Sequence, residues 1–271
     1  MELSSTFSRS PLRLVAWLGR KGVDILRELG GIFFFFVQGV GLLFQYPFQL
    51  RKVVQQVYFI GVKSVFVIVL VGMFTGMVVG LQGYYTLVKF GSEGVLGGAV
   101  ALSLIREMGP VLTAIMVIGR AGSAMAAEIG IMRITEQIDA LDTMNINPVR
   151  YLFSPRIAAG VICFPLLTAL FDVVGIVGGY LTGVVLLGIN SGIYFSRMES
   201  MVLMSDISGG FYKSLAFGLL IVTICCYQGY FVHTRKDGFG AKGVSLATTS
   251  AVVLSSVAVL VFDYVITSFL L

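Results

Sequence analysis

The chain of 271 residues is 57% hydrophobic and 12% charged, whereas soluble domains run at roughly 45–50% and about 25%, and its mean hydropathy is +0.94. This sets aside a soluble globular fold. Eight basic and three acidic residues up to Lys63 account for the whole formal charge of +5; they flank apolar segments, as on the cytoplasmic side of a membrane protein, and so do not indicate nucleic-acid binding.

The N-terminus has basic residues but no short apolar core followed by a small-residue cleavage site, so no removable signal peptide is expected and the mature chain should begin near Met1. Residues 10–29 are predicted to form an amphipathic helix. Leu14, Leu18, Ile25 and Leu29 share one face and Arg13, Arg20, Asp24 and Arg27 another, which suits the membrane interface or a partner's surface. Residues 30–50 are uncharged and long enough to span a bilayer. Basic clusters on both flanks, Arg20 to Arg27 and Arg51 to Lys63, belong in the cytoplasm, so this stretch is predicted to be re-entrant or interfacial, helped by Gly39, Gly41 and Pro47.

Five apolar windows follow, each near the ~20 residues a bilayer core requires: Ser64–Gln82, Gly94–Ala127, Ile157–Ile189, Ser214–Val232 and Val244–Leu271. The connectors Glu128–Arg156 and His233–Lys242 hold Arg133, Arg150, Arg156, Arg235, Lys236 and Lys242. Tyr84–Glu93 and Asn190–Gly210 hold only Lys89 and Arg197 as cations. The N-terminus is then cytoplasmic and the C-terminus outside. The expected fold is an all-α integral membrane protein, with an N-terminal region over residues 1–50 and a transmembrane domain over residues 51–271. Gly72, Gly76 and Gly80, and again Gly175, Gly179 and Gly183, recur every four residues, spacing that permits close helix contact in lipid. An odd number of spans without internal duplication argues against an inverted-repeat transporter.

No GxxxxGK[ST], HExxH or GxSxG occurs, so no catalytic residue, metal ligand or cofactor site is expected, and ATP-driven work would need a partner. His233 reads as a solvated loop residue, and Cys163, Cys225 and Cys226 as small buried hydrophobes. Arg106 and Glu107 interrupt an apolar window, and ions within a membrane are costly enough to mark function. About 100° apart on a helix, they cannot both face lipid. Asp172, Asp263 and Lys213 raise the same question; the alternative is ion pairing within the bundle, with Arg106, Arg120 and Lys213 as partners. Leu102 and Arg106 share a helical face, and Leu81 and Tyr84 end the first span on the outer side.

Residues 121–156, AGSAMAAEIGIMRITEQIDALDTMNINPVRYLFSPR, carry a span into a polar segment. Ile131, Ile134, Ile138 and Leu141 follow helical spacing, while Arg133, Glu136, Gln137 and Asp139 point elsewhere, and Asn145 to Pro148 ends the helix. Spacing alone leaves two readings open, a helix docked in a partner's groove and a plain interfacial helix.

AEIGIMRITEQIDALDTM, with ALSLIREMGPVLTAIMVIGRAGSA before it, MVVGLQGY at 77–84, NSGIYF at 190–195 and ATTSAVVLSSVAVLVFDYVITSFL at 247–270, resembles the MlaE permease family of ABC-type phospholipid transporters over roughly residues 55–271. The resemblance implies a homodimeric permease in a bacterial inner membrane, with a glycerophospholipid held between the two copies and moved to or from a periplasmic MCE-domain hexamer (MlaD-like), which maintains outer-membrane lipid asymmetry. It further implies a cytoplasmic ABC ATPase (MlaF-like) that binds ATP and Mg, with a STAS-domain protein (MlaB-like) upon it. Ile131, Arg133, Glu136, Gln137, Asp139 and Leu141 match the family's coupling helix, which rests on that ATPase. Leu81, Tyr84, Leu102, Arg106 and Glu107 are the expected lipid-binding residues, with Lys213 and Asp263 as further functional charges. The rival is a scaffold that anchors ring and ATPase without forming the lipid path; an ion channel would need a polar pore stripe that the sequence lacks.

Overall fold

The computed structural model describes residues 11–43, 49–234 and 240–270, and among these every regular element is helical. In chain order they are α1 (Pro11–Leu43), α2 (Leu50–Ile60), α3 (Val65–Val88), α4 (Leu96–Ser103), α5 (Gly109–Val117), α6 (Ser123–Ile134), α7 (Gln137–Thr143), α8 (Pro148–Tyr180), α9 (Ser191–Met201), α10 (Met204–Tyr230) and α11 (Gly240–Leu270). Each of the five apolar windows falls largely within a helical stretch long and apolar enough to cross a membrane: Leu50–Val88, Glu93–Ile134, Pro148–Leu186, Met204–Tyr230 and Gly240–Phe269. The second of these is not a uniform helix. Wide π-helical turns at Leu104–Met108 and Ile118–Gly122 separate α4, α5 and α6.

Close packing begins with the two glycine ladders, which meet each other. A Cβ on Gly76 would overlap the Gly175 carbonyl oxygen, one on Gly72 would lie 3.1 Å from the Phe171 oxygen, and one on Gly80 would lie 3.2 Å from the Gly179 Cα. On its other side the α8 ladder receives α4. Leu104, Val100 and Leu96 fill the spaces that side chains at Gly175, Gly179 and Gly183 would occupy. Without a hydrophobic driving force between helices in lipid, such backbone contact is what holds a pair together. α8 starts where the sequence breaks, with Pro148 in its first turn and the Asn147 side chain accepting the Arg150 N–H at 3.2 Å.

At the N-terminus, residues 11–43 of the two predicted pieces form one continuous helix, α1, which includes Gly30, Gly31, Gly39 and Gly41. The side chains of Arg13, Leu14, Leu18, Asp24 and Ile25, and residues Pro47, Arg235, Lys236 and Leu271, lie outside the description. Packing explains the continuity. Phe35 is buried against Phe153, Tyr230 and Tyr227, with ring centroids at 4.6, 5.7 and 5.9 Å, and Gly39 lets the Phe153 ring approach the helix. Phe33 and Phe34 remain exposed. A helix anchored on α8 and α10 gains more from continuing than from turning.

The connector Asn190–Gly210 also contains a helix, α9, that its polarity did not announce. Asn190 caps it, accepting the Gly192 N–H at 2.8 Å, and Tyr194 is fully buried against Gly97 and Gly179. Burial pushes its phenol up to about 12.

Candidate functional site

The first π-turn, Leu104–Met108, carries both Arg106 and Glu107. Two residues beyond it stands Pro110, which has no N–H to offer the Arg106 carbonyl. That oxygen is taken instead by the Lys213 ammonium of α10 at 2.9 Å. The same ammonium lies 2.7 Å from Glu107 Oε2 and 3.1 Å from Asp263 Oδ1 of α11. The ammonium donates hydrogen bonds to the Arg106 carbonyl and to Glu107, and Asp263 Oδ1 adds an ion-pair contact without a hydrogen bond, which together let Lys213 sit 3% exposed. The Thr267 hydroxyl donates its one proton to the Asp263 carbonyl at 2.8 Å and stands 3.4 Å from Glu107 Oε1. This knot ties the middle of one span to α10 and α11.

Arg106 reaches the other way. Its Nε and Nη2 donate to Asp206 Oδ1 at 2.8 and 2.7 Å, and Asp206 Oδ2 accepts the Leu203 N–H at 3.0 Å, in the first turn of α10. Asp206 is 6% exposed but Arg106 is 45% exposed, so the pair is anchored on its acidic side and open on its basic side. Both groups line a cavity of about 510 Å³ together with Glu107, Lys213, Tyr212 and Thr267. The half-open guanidinium presents to this cavity a fork of N–H donors, a geometry that matches phosphate oxygens.

Of the ion pairs left open by the sequence, Lys213 meets Asp263 and also Glu107, whereas the Arg106 side chain pairs with Asp206, a residue missed by sequence reasoning because it stands 100 residues away inside a connector. Leu81, Tyr84 and Leu102 are not among the residues lining this cavity; Leu81 is exposed and Tyr84 packs partly into the core. The expected pairing of Asp172 also fails. Its Oδ1 is buried without a hydrogen-bond partner, in the notch left by Gly109, because Arg106 is committed to Asp206 and Arg120 to another helix. Arg120, on the second π-turn, donates to Ser64 Oγ at 2.8 Å and to the carbonyls of Ile60, at 3.1 Å, and Phe59. The three cysteines are buried and free, as read.

The coupling segment is two helices, not one. α6 ends at Ile134, Glu136 takes a left-handed backbone (φ 58°), and α7 starts at Gln137. The helical face expected over Ile131–Leu141 is therefore split. Ile138 is buried, whereas Ile131 and Ile134 are exposed, as are Glu136, Gln137 and Asp139; Leu141 is half-buried. Arg133 turns inward to the break, donating to Asp139 Oδ1 at 2.6 Å and, through Nε, to His233 Nδ1 at 3.0 Å. Burial and the Arg133 charge hold the His233 imidazole below its usual value, consistent with a neutral ring that accepts from arginine. Below it, the buried Arg156 pairs with Glu128 at 2.9 Å.

The sequence of permease MlaE, as a family, matches residues 53–269. The chain is 42% identical to the intermembrane phospholipid transport system permease protein MlaE of Haemophilus influenzae, over 95% of this chain and 97% of that one. It is 40% identical to a probable ABC transporter permease protein of Rickettsia conorii, over 92% and 95%. It is also 37% identical to the chloroplastic protein TRIGALACTOSYLDIACYLGLYCEROL 1 of Arabidopsis thaliana, over 81% of this chain and 61% of that one.

Proposed function

Because the chain belongs to the MlaE permease family and is a multi-pass membrane protein, we propose that it is the membrane subunit of an ABC-type system that moves glycerophospholipid between the inner membrane and a periplasmic MCE-domain hexamer, sustaining outer-membrane lipid asymmetry. The observation that carries this reading is the half-open Arg106 guanidinium, fixed by Asp206 at the rim of a cavity among apolar helices. Phosphate is to meet Arg106 while the Lys213 knot holds the surrounding helices in register. Two copies face each other across these cavities. Leu81, Tyr84 and Leu102 then serve the outer part of the lipid path, away from the charged cavity.

The positive-inside bias assigns the N-terminus, residues 128–156 and residues 233–242 to the cytoplasm. There the exposed Glu136, Gln137 and Asp139 and the neighbouring Ile131 offer the docking surface for a cytoplasmic ABC ATPase, which holds ATP and Mg and carries a STAS-domain protein. This chain contributes no catalytic residue. A scaffold without a lipid path has no use for a half-open arginine in a cavity, and the relatives' names favour transport.

Purifying the chain with its co-expressed partners and identifying co-extracted lipid by mass spectrometry tests the reading. Bound phospholipid that is reduced in Arg106→Gln, with the complex intact, supports it. An intact complex with no lipid above the level left in the detergent would return the chain to the scaffold class.

A further inference from the structure

A second cavity, of about 690 Å³, lies near the other end of the bundle, between α1, the last turn of α10 and one face of α11. Its lining changes character along α11. Thr249, Val253 and Val257 recur every four residues and so share one face, hydroxyl first and apolar after. Among the described residues lining it, Glu28 alone carries a charge. The Glu28 carboxylate is not left to wander: Gln228, itself 3% exposed, donates Nε2 to Glu28 Oε1 at 2.7 Å. The result is a fixed acid at a polar mouth, followed by an apolar wall that runs toward the bilayer core.

The geometry points to a site for an amine-bearing phospholipid of the cytoplasmic leaflet, its ammonium at Glu28, its ester region at Thr249 and an acyl chain along Val253 and Val257. Charge selects the occupant. A carboxylate attracts an ammonium head group and repels an anionic one, and a cavity of this size accommodates a head group with the first part of a chain. The site is separate from the Arg106 cavity, which lies beyond it along α11 by at least about 15 Å at 1.5 Å per residue between Val257 and Thr267. It rests on the sidedness proposed above, but not on lipid passing through the Arg106 cavity.

The test uses the whole complex in nanodiscs made of equal parts phosphatidylethanolamine and phosphatidylglycerol, with a photo-crosslinking residue at Val253 or, separately, at Leu102. Captured lipid is identified by mass spectrometry. At Val253, phosphatidylethanolamine should exceed phosphatidylglycerol roughly two- to five-fold, the bias expected from one partly exposed charge pair. Glu28→Gln keeps a carbonyl for Gln228 and should abolish the bias; Glu28→Lys should reverse it. Capture at Leu102 should be unaffected by either. Equal capture of both lipids at Val253 in the unaltered protein means plain bilayer exposure and overturns the proposal, as does capture of a second protomer there. Loss of lipid at Leu102 with the Val253 bias intact counts against the transport path and leaves this site standing.

Discussion

The two π-turns of the second span each place an arginine among apolar helices, and they do opposite things with it. At Leu104–Met108, Arg106 pairs with a carboxylate on another helix and stays 45% exposed to a cavity. At Ile118–Gly122, Arg120 spends its donors on one hydroxyl and two main-chain carbonyls at the junction between α2 and α3. A π-turn inserts one residue and redirects the side chains that follow; what the redirected charge meets then decides its role. Arg120 closes a helix junction, whereas Arg106 keeps one side open to a cavity. An arginine inside a membrane is therefore not a functional group by position alone.

Substitutions can break this contrast, and they rank by expected loss of stability. Lys213→Met should be the most damaging, because it strands Glu107 and Asp263 together, at a cost of about 3–5 kcal/mol; thermal unfolding of the purified complex measures it. Arg120→Ala comes next, at about 1–3 kcal/mol for the acceptors left unpaired, with transport per folded molecule retained. Arg106→Gln should cost no more than about 1 kcal/mol yet reduce lipid transport on the order of ten-fold or more, as for a lost hydrogen bond to a charged group. Equal loss of transport per folded molecule in Arg106→Gln and Arg120→Ala would erase the distinction drawn between the two turns.

The smallest effect concerns acid. His233 has a folded-state value below its ordinary 6.5, so the unfolded chain binds the proton more readily and stability falls as pH drops through that value. The loss continues until the folded-state value is passed. Melting curves between about pH 8 and pH 5 should show this slope, and His233→Gln, which cannot titrate, should flatten it. A slope that survives the substitution would assign the pH dependence to other groups.

The spans and glycine ladders were legible because hydropathy and four-residue spacing are local properties of the chain. Arg106 and Glu107 stood out for the same reason, as charges in apolar surroundings. Asp206 did not, since it sits in a polar connector and gains meaning only when α10 brings it to Arg106. The π-turns leave no compositional trace; Pro110 was visible, but not the lysine that would claim the carbonyl it frees. The helical face drawn over Ile131–Leu141 was real as a pattern and yet broken at Glu136, where Arg133 finds better partners in Asp139 and His233 than in solvent. Asp172 was expected to pair because an acid in a membrane ought to, but Arg106 and Arg120, the arginines offered as partners, are committed elsewhere.

The glycine ladders have a mechanical consequence. Where two backbones touch with no side chains between them, neither can slide or tilt alone, so α3 and the Phe171–Gly179 part of α8 are expected to act as a single stiff plate. Four residues separate α7 from α8, and the 33 residues of α8 reach about 50 Å at 1.5 Å per residue. Between α7 and the glycine contact α8 also holds Pro155 and Pro165, each of which removes a helix hydrogen bond, so yielding is expected there and at the borders of the plate rather than within it.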